Sequence, residues 1–84
     1  DAFSRSGPET RPAIIEVLVR MKRPGATALI VSALDDGEAK VRMAAVQALA
    51  RLGSRRAERR LSLMASADPD PDVRRAARQA LGNI

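Results

Sequence analysis

The chain repeats itself, and that property constrains its fold more than any single motif does. Shifted by 32 positions, Val41-Arg42-Met43-Ala44-Ala45-Val46-Gln47-Ala48-Leu49 lies over Val73-Arg74-Arg75-Ala76-Ala77-Arg78-Gln79-Ala80-Leu81, identical at seven of nine places. The same shift sets Leu29 on Leu61, Ala33 on Ala65 and Asp36 on Asp68, so the copied unit is larger than one helix. A weaker copy appears at a shift of 31, where Ala13, Leu18, Arg20 and Ala26 fall on Ala44, Leu49, Arg51 and Ala57. The unit is therefore 31–32 residues long.

Each unit reads as two helices joined by a tight acidic turn. Val41, Ala44, Ala45, Ala48, Leu49 and Leu52 are spaced as one buried helical stripe, and Val73, Ala76, Ala77, Ala80, Leu81 and Ile84 repeat it. Small Ala side chains along both stripes let neighbouring helices approach closely. Asp70 before Pro71 predicts an N-cap followed by a first-turn proline, with Asp72 beside the positive end of the helix dipole. Gly37 and Gly53 bracket the central helix, the second as a C-terminal cap. Helices are expected at about residues 10–22, 26–35, 39–52, 55–66 and 71–83, with no strand. Pro12 requires the first of them to start near Thr10 or Arg11. The units then run over about residues 10–23 (a second helix alone), 24–53 and 54–84 of a single domain, about two and a half repeats.

Asp68-Pro69-Asp70-Pro71-Asp72-Val73-Arg74-Arg75-Ala76-Ala77-Arg78-Gln79-Ala80-Leu81-Gly82 resembles the signature of HEAT repeats, in particular the short bacterial HEAT-like type also found in phycobilin lyase subunits. The resemblance covers most of residues 10–84. It implies an all-α solenoid of antiparallel helix pairs whose second helices line a concave surface. It also implies structural roles in linking successive repeats for Asp36 with Arg42 and Asp68 with Arg74.

Composition excludes most chemistry. With 84 residues there is room for one domain, and there is no Cys, His, Trp or Tyr and one aromatic residue, Phe3. Zinc clusters, thiol chemistry, imidazole acid–base catalysis and base-stacking platforms all lack their side chains. No catalytic, metal-binding or cofactor-binding residue is expected, and the chain reads as a non-enzyme. The run Asp68–Asp72 starts like a calcium loop but has Val73 and Gln79 where that loop needs Gly and Glu, so these carboxylates read as caps and turn residues. No apolar run is long enough for a membrane span, and the lack of cysteine fits a reducing cytoplasm. A first residue that is Asp rather than Met suggests a piece of a longer protein.

Two surfaces are candidates for binding. On the outward side of the second helices, Met43, Val46 and Ala50 stand where polar residues are expected, with Ile15 and Val19 in the equivalent places of the first unit. This strip, with Gln47 and Gln79 alongside and Arg75 and Arg78 at its end, suits an amphipathic, partly acidic peptide or helix of another protein or neighbouring domain. Alternatively, the same side chains fill the space between adjacent second helices. The net charge of +5 comes from 15 cations, of which 13 are Arg, and five of them (Arg51, Arg55, Arg56, Arg59 and Arg60) fall within ten residues. They form either an anion or nucleic-acid patch or a solvated convex face, with Ala57, Leu61 and Met64 turned inward. The first helix, with Ile14, Ile15, Val17, Leu18, Val19 and Met21, is apolar nearly all round and is expected to be buried on two sides. Asp1 to Pro8, an upstream repeat or a second copy would cover it, and Ile84 ends the last unit without a polar cap. The leading expectation is a non-catalytic scaffold that binds a protein on the concave face; nucleic-acid binding or a bilin-lyase-like subunit role are the alternatives.

Overall fold

Proline, glycine and aspartate punctuate five α-helices. The computed structural model describes Gly7, residues 9–21 and residues 23–84, and among these there is no strand. The helices are α1 (Arg11–Met21), α2 (Pro24–Ser32), α3 (Ala39–Leu52), α4 (Glu58–Ala67) and α5 (Pro71–Gly82). All five expected helices are present. Two of them tighten at one end into 3-10 turns, Ala33–Asp35 after α2 and Arg55–Ala57 before α4. There, bonds three residues apart take up backbone groups that an α-helix leaves open at its ends.

The sequence explains where each helix starts and stops. Pro12 sits in the first turn of α1, and the Thr10 and Arg11 amides donate to the Gly7 carbonyl. Pro24 opens α2 and Pro71 opens α5. Ahead of Pro71, the Asp70 carboxylate accepts from the Asp72 and Val73 amides at 2.8 and 3.2 Å. At the end of α3, Gly53 adopts φ +61°. The Ser54 amide then reaches back to Leu49 O and the Gly53 amide to Ala50 O, both at 3.2 Å, which closes the helix as a Schellman motif.

Second helices stack on second helices, so α3 lies between α1 and α5, while α2 packs on α1 and α3, and α4 on α5. The result is an all-α solenoid of 30 × 24 × 15 Å. Its core runs continuously through Ile15, Ile30, Leu34, Val41, Val46, Leu49, Leu61, Met64 and Val73. Each such side chain contributes about 1.5–3 kcal/mol by leaving water. Ala45, Ala48, Ala77 and Ala80 are buried between the helices, where short side chains permit close approach.

Helix α1 departs from expectation. Ile15 is its one fully buried side chain, while Val17 and Met21 are 55% and 47% exposed. The described residues cover one side of it, through α2 and α3, rather than two. The expected cover by Asp1 to Pro8, with Phe3, concerns residues that, Gly7 apart, lie outside those described.

Candidate functional site

The units are tied together by a ladder of arginine and aspartate. Arg42, near the start of α3, uses Nε and Nη2 to grip both carboxylate oxygens of Asp68 at 2.9 and 3.1 Å. Asp68 belongs to the turn of the following unit, 26 residues on, and its side chain is 4% exposed. A buried carboxylate is unfavourable unless its charge and lone pairs are met. Here the guanidinium fork supplies the charge, and the Asp70 amide donates to Oδ1 at 2.9 Å. The remaining Nη1 of Arg42 donates to the carbonyls of Asp36 and Gly37 in its own unit.

One unit earlier the same link is made by Arg11, which bonds the carboxylate of Asp36. The Glu38 amide completes that turn by donating to Asp36 Oδ1 at 2.9 Å. Each aspartate carboxylate is thus bonded by an arginine of the preceding unit, Asp36 by Arg11 and Asp68 by Arg42, rather than by the Arg42 and Arg74 with which the sequence pairs them. Arg74 repeats the intra-unit half of the pattern, with Nη1 donating to Asp68 O at 2.6 Å. Arg11 is absent from the sequence-based set, although the shift of 31 that aligns Ala13 with Ala44 also sets Arg11 on Arg42.

The outward apolar strip needs correction. Val46 and Ile15 are 0% and 1% exposed and belong to the core, so neither presents itself to a partner. A helix with neighbours on both flanks buries a wider arc than one stripe, and Val46 falls within that wider arc. Val19, Met43 and Ala50 are half-buried against the same core. The exposed members of the set are Gln47, Arg75, Arg78 and Gln79.

What the second-helix face offers instead is an open groove between α3 and α5, with a volume of about 390 Å³. Ala50, Ala76 and Ala80 line it along with Gln47, Arg51, Gln79 and Asn83. Since the apolar lining is alanine, the longer amide side chains rise from both helices around a shallow floor. Gln47, Gln79 and Asn83 make no side-chain hydrogen bond within the described chain and are exposed. Arg51 Nη1 donates to Glu16 Oε2 at 3.0 Å, which ties this cation to α1. Met43 lies outside the groove, in a smaller notch of about 180 Å³ with Lys40, Asp72 and Val73.

The five-arginine cluster divides. Arg51 lies on the second-helix face, and Arg60 pairs with Asp35 of the preceding turn. Arg55, Arg56 and Arg59 remain together and exposed at the start of α4, beside Glu58 and Ser62. Ala57, Leu61 and Met64 point inward, as their spacing implies.

No three His, Cys, Asp or Glu side chains among the described residues are placed to hold a metal ion, and no helix is long and apolar enough to cross a membrane. No curated protein and no solved structure matches the chain. A family model described as HEAT repeats matches residues 2–82. With helix pairs stacked in register, arginine–aspartate links between them and a family match across nearly its whole length, the chain belongs to the HEAT repeats.

Proposed function

We propose that the chain is a non-catalytic interaction module that holds a partner protein, through an extended peptide or one face of a helix, in the groove between α3 and α5. HEAT repeats generally mediate protein–protein interaction and typically serve as scaffolds rather than catalysts. The observation that carries the proposal is the convergence of the Gln47, Gln79 and Asn83 amides, all without a side-chain hydrogen-bond partner among the described residues, around an alanine floor. Each amide offers a carbonyl acceptor and two N–H donors, a set that matches the backbone of an unpaired peptide.

The test is capture from nuclease-treated lysate of the source organism, comparing the native chain with a Gln47→Ala, Gln79→Ala, Asn83→Ala variant. All three side chains are exposed, so helicity is expected to be retained. A partner held by the native chain and lost by the variant supports the groove; equal retention by both overturns it. If material binds only before nuclease treatment, Arg55, Arg56 and Arg59 as a nucleic-acid surface replace it.

A further inference from the structure

The two edges of the stack are charged in different ways. Helices α1 and α3 run side by side in one direction: Glu9 and Arg11, at the start of α1, reach Lys40 and Asp36 at the start of α3, and Glu16 further along reaches Arg51. Arg42 and Asp68 join the starts of α3 and α5, and Asn83 O lies beside Gly53 at their ends. The turns within units therefore share one edge, and the joints between units share the other. At the turn edge the aspartates are engaged: Asp35 by Arg60, Asp36 by Arg11, Asp68 by Arg42, Asp72 by Arg75, and Asp70 by the amides that it caps.

The joint edge is cationic. Arg20 and Arg23 flank the end of α1, Arg51, Arg55 and Arg56 the end of α3, and all five are exposed. Arg23 and Arg55 stand 32 residues apart, one period of the repeat. At the centre of this edge, Arg55, Arg56 and Arg59 converge on an open hollow of about 500 Å³ with Glu58 and Ser62. These three arginines make no hydrogen bond and no ion pair among the described residues. Their placement burdens the fold. Arg55 and Arg59 are one turn apart and repel each other, and all three stand at the positive end of the α4 dipole, behind a Ser54 that makes no side-chain cap. At the same place α5 has the carboxylates of Asp70 and Asp72. A cluster that costs the fold and bonds nothing within it is suited to an external polyanion.

Guanidinium forks bind pairs of phosphate oxygens. With Phe3 the one aromatic residue of the chain, a platform for stacking unpaired bases is lacking, so contact falls to the sugar–phosphate backbone. A duplex presents its phosphates at about twice the axial density of a single strand. We propose that the joint edge, centred on Arg55, Arg56 and Arg59, docks the phosphate backbone of a nucleic-acid duplex without reading its sequence. These arginines do not line the amide-rich groove, so failure of either proposal leaves the other standing.

The probe is a fluorescein-labelled DNA duplex of about 20 base pairs, titrated with the full chain and followed by anisotropy between about 50 and 200 mM salt. Binding is expected to be saturable at the lower salt, and log K is expected to fall against log salt with a slope of about −2.7 or steeper, the value for three phosphates. Arg55→Gln, Arg56→Gln, Arg59→Gln is expected to lose about tenfold or more in affinity and to flatten the slope. Lys40→Gln, Arg75→Gln, Arg78→Gln removes the same charge from the turn side, where Arg78 reaches Ala65 O near the end of α4, and is expected to stay within about threefold of the native chain. Glu58→Gln takes a carboxylate out of the hollow and is expected to tighten binding about threefold, a gain that a misfolded variant cannot imitate. Circular dichroism establishes that each variant keeps its helices. Absence of saturable binding at low salt, equal losses in the two triple variants, or unchanged or weaker binding by Glu58→Gln overturns the proposal. Equal or tighter binding of the single strand, of polyglutamate or of phosphatidylserine vesicles also overturns it, in favour of the ligand that wins.

Discussion

Asp68 is the residue on which two units depend. Its side chain is 4% exposed, yet each of its oxygens is bonded: Oδ2 by Arg42 Nε, Oδ1 by Arg42 Nη2 and the Asp70 amide. Asp68→Asn keeps the shape and the acceptor toward Asp70 but removes the charge from the Arg42 fork. It is expected to lower the unfolding free energy by about 2 kcal/mol, read from urea denaturation, with Asp68→Ala costing more because the turn also loses its acceptor. The positions of Arg42 and Asp68 are legible in the sequence because they recur 32 residues apart with the rest of the unit. Their pairing is not. Partners 25 and 26 residues apart meet only after the units stack, and no local helical spacing marks them. For the same reason Arg11, whose partner Asp36 is 25 residues away, escapes notice.

At the scale of single elements, the helix ends are the best specified features. Gly53 ends α3 at φ +61°, a conformation that costs an L-residue about 1 kcal/mol or more. A methyl group there meets nothing closer than Asn83 O at 3.9 Å. Gly53→Ala is therefore expected to lose about 1 kcal/mol from backbone conformation alone, visible as a lower urea midpoint with an unchanged m-value. Asp70, Pro71 and Gly53 are legible because capping is local chemistry, contained within a few residues. Val46 shows where local reasoning stops. A stripe drawn through Val41, Ala45 and Leu49 locates the centre of the buried face, but its width depends on how many helices lie alongside. With α1 and α5 on its flanks, α3 draws Val46 into the core and leaves Gln47 as the neighbouring exposed residue. Gln47 and Gln79 are legible as a repeated pair, whereas Asn83 joins them only because α5 carries it to the far end of the groove.

Across the whole molecule, stability is expected to be uneven, because each helix gains burial from its neighbours alone. Helix α3 is packed by α1, α2 and α5, whereas α1 turns Val17 and Met21 to the outside. Amide hydrogen exchange is expected to be slowest in α3 and the adjoining face of α5, and fastest in α1 and α2, with a spread set by local opening rather than global unfolding. Uniform protection along the chain contradicts this picture. The links between units have a further consequence. Arg42 holds its own unit's turn through carbonyls and the next unit's turn through a carboxylate, with Arg11 and Arg74 each repeating one half, so the fold has a grammar in which neighbouring words agree. Duplicating any stretch of one full period inserts a donor and an acceptor together and leaves the sentence well formed. Deleting part of a period strands one of them inside the protein, so lineages of such chains are expected to lengthen and shorten by whole units.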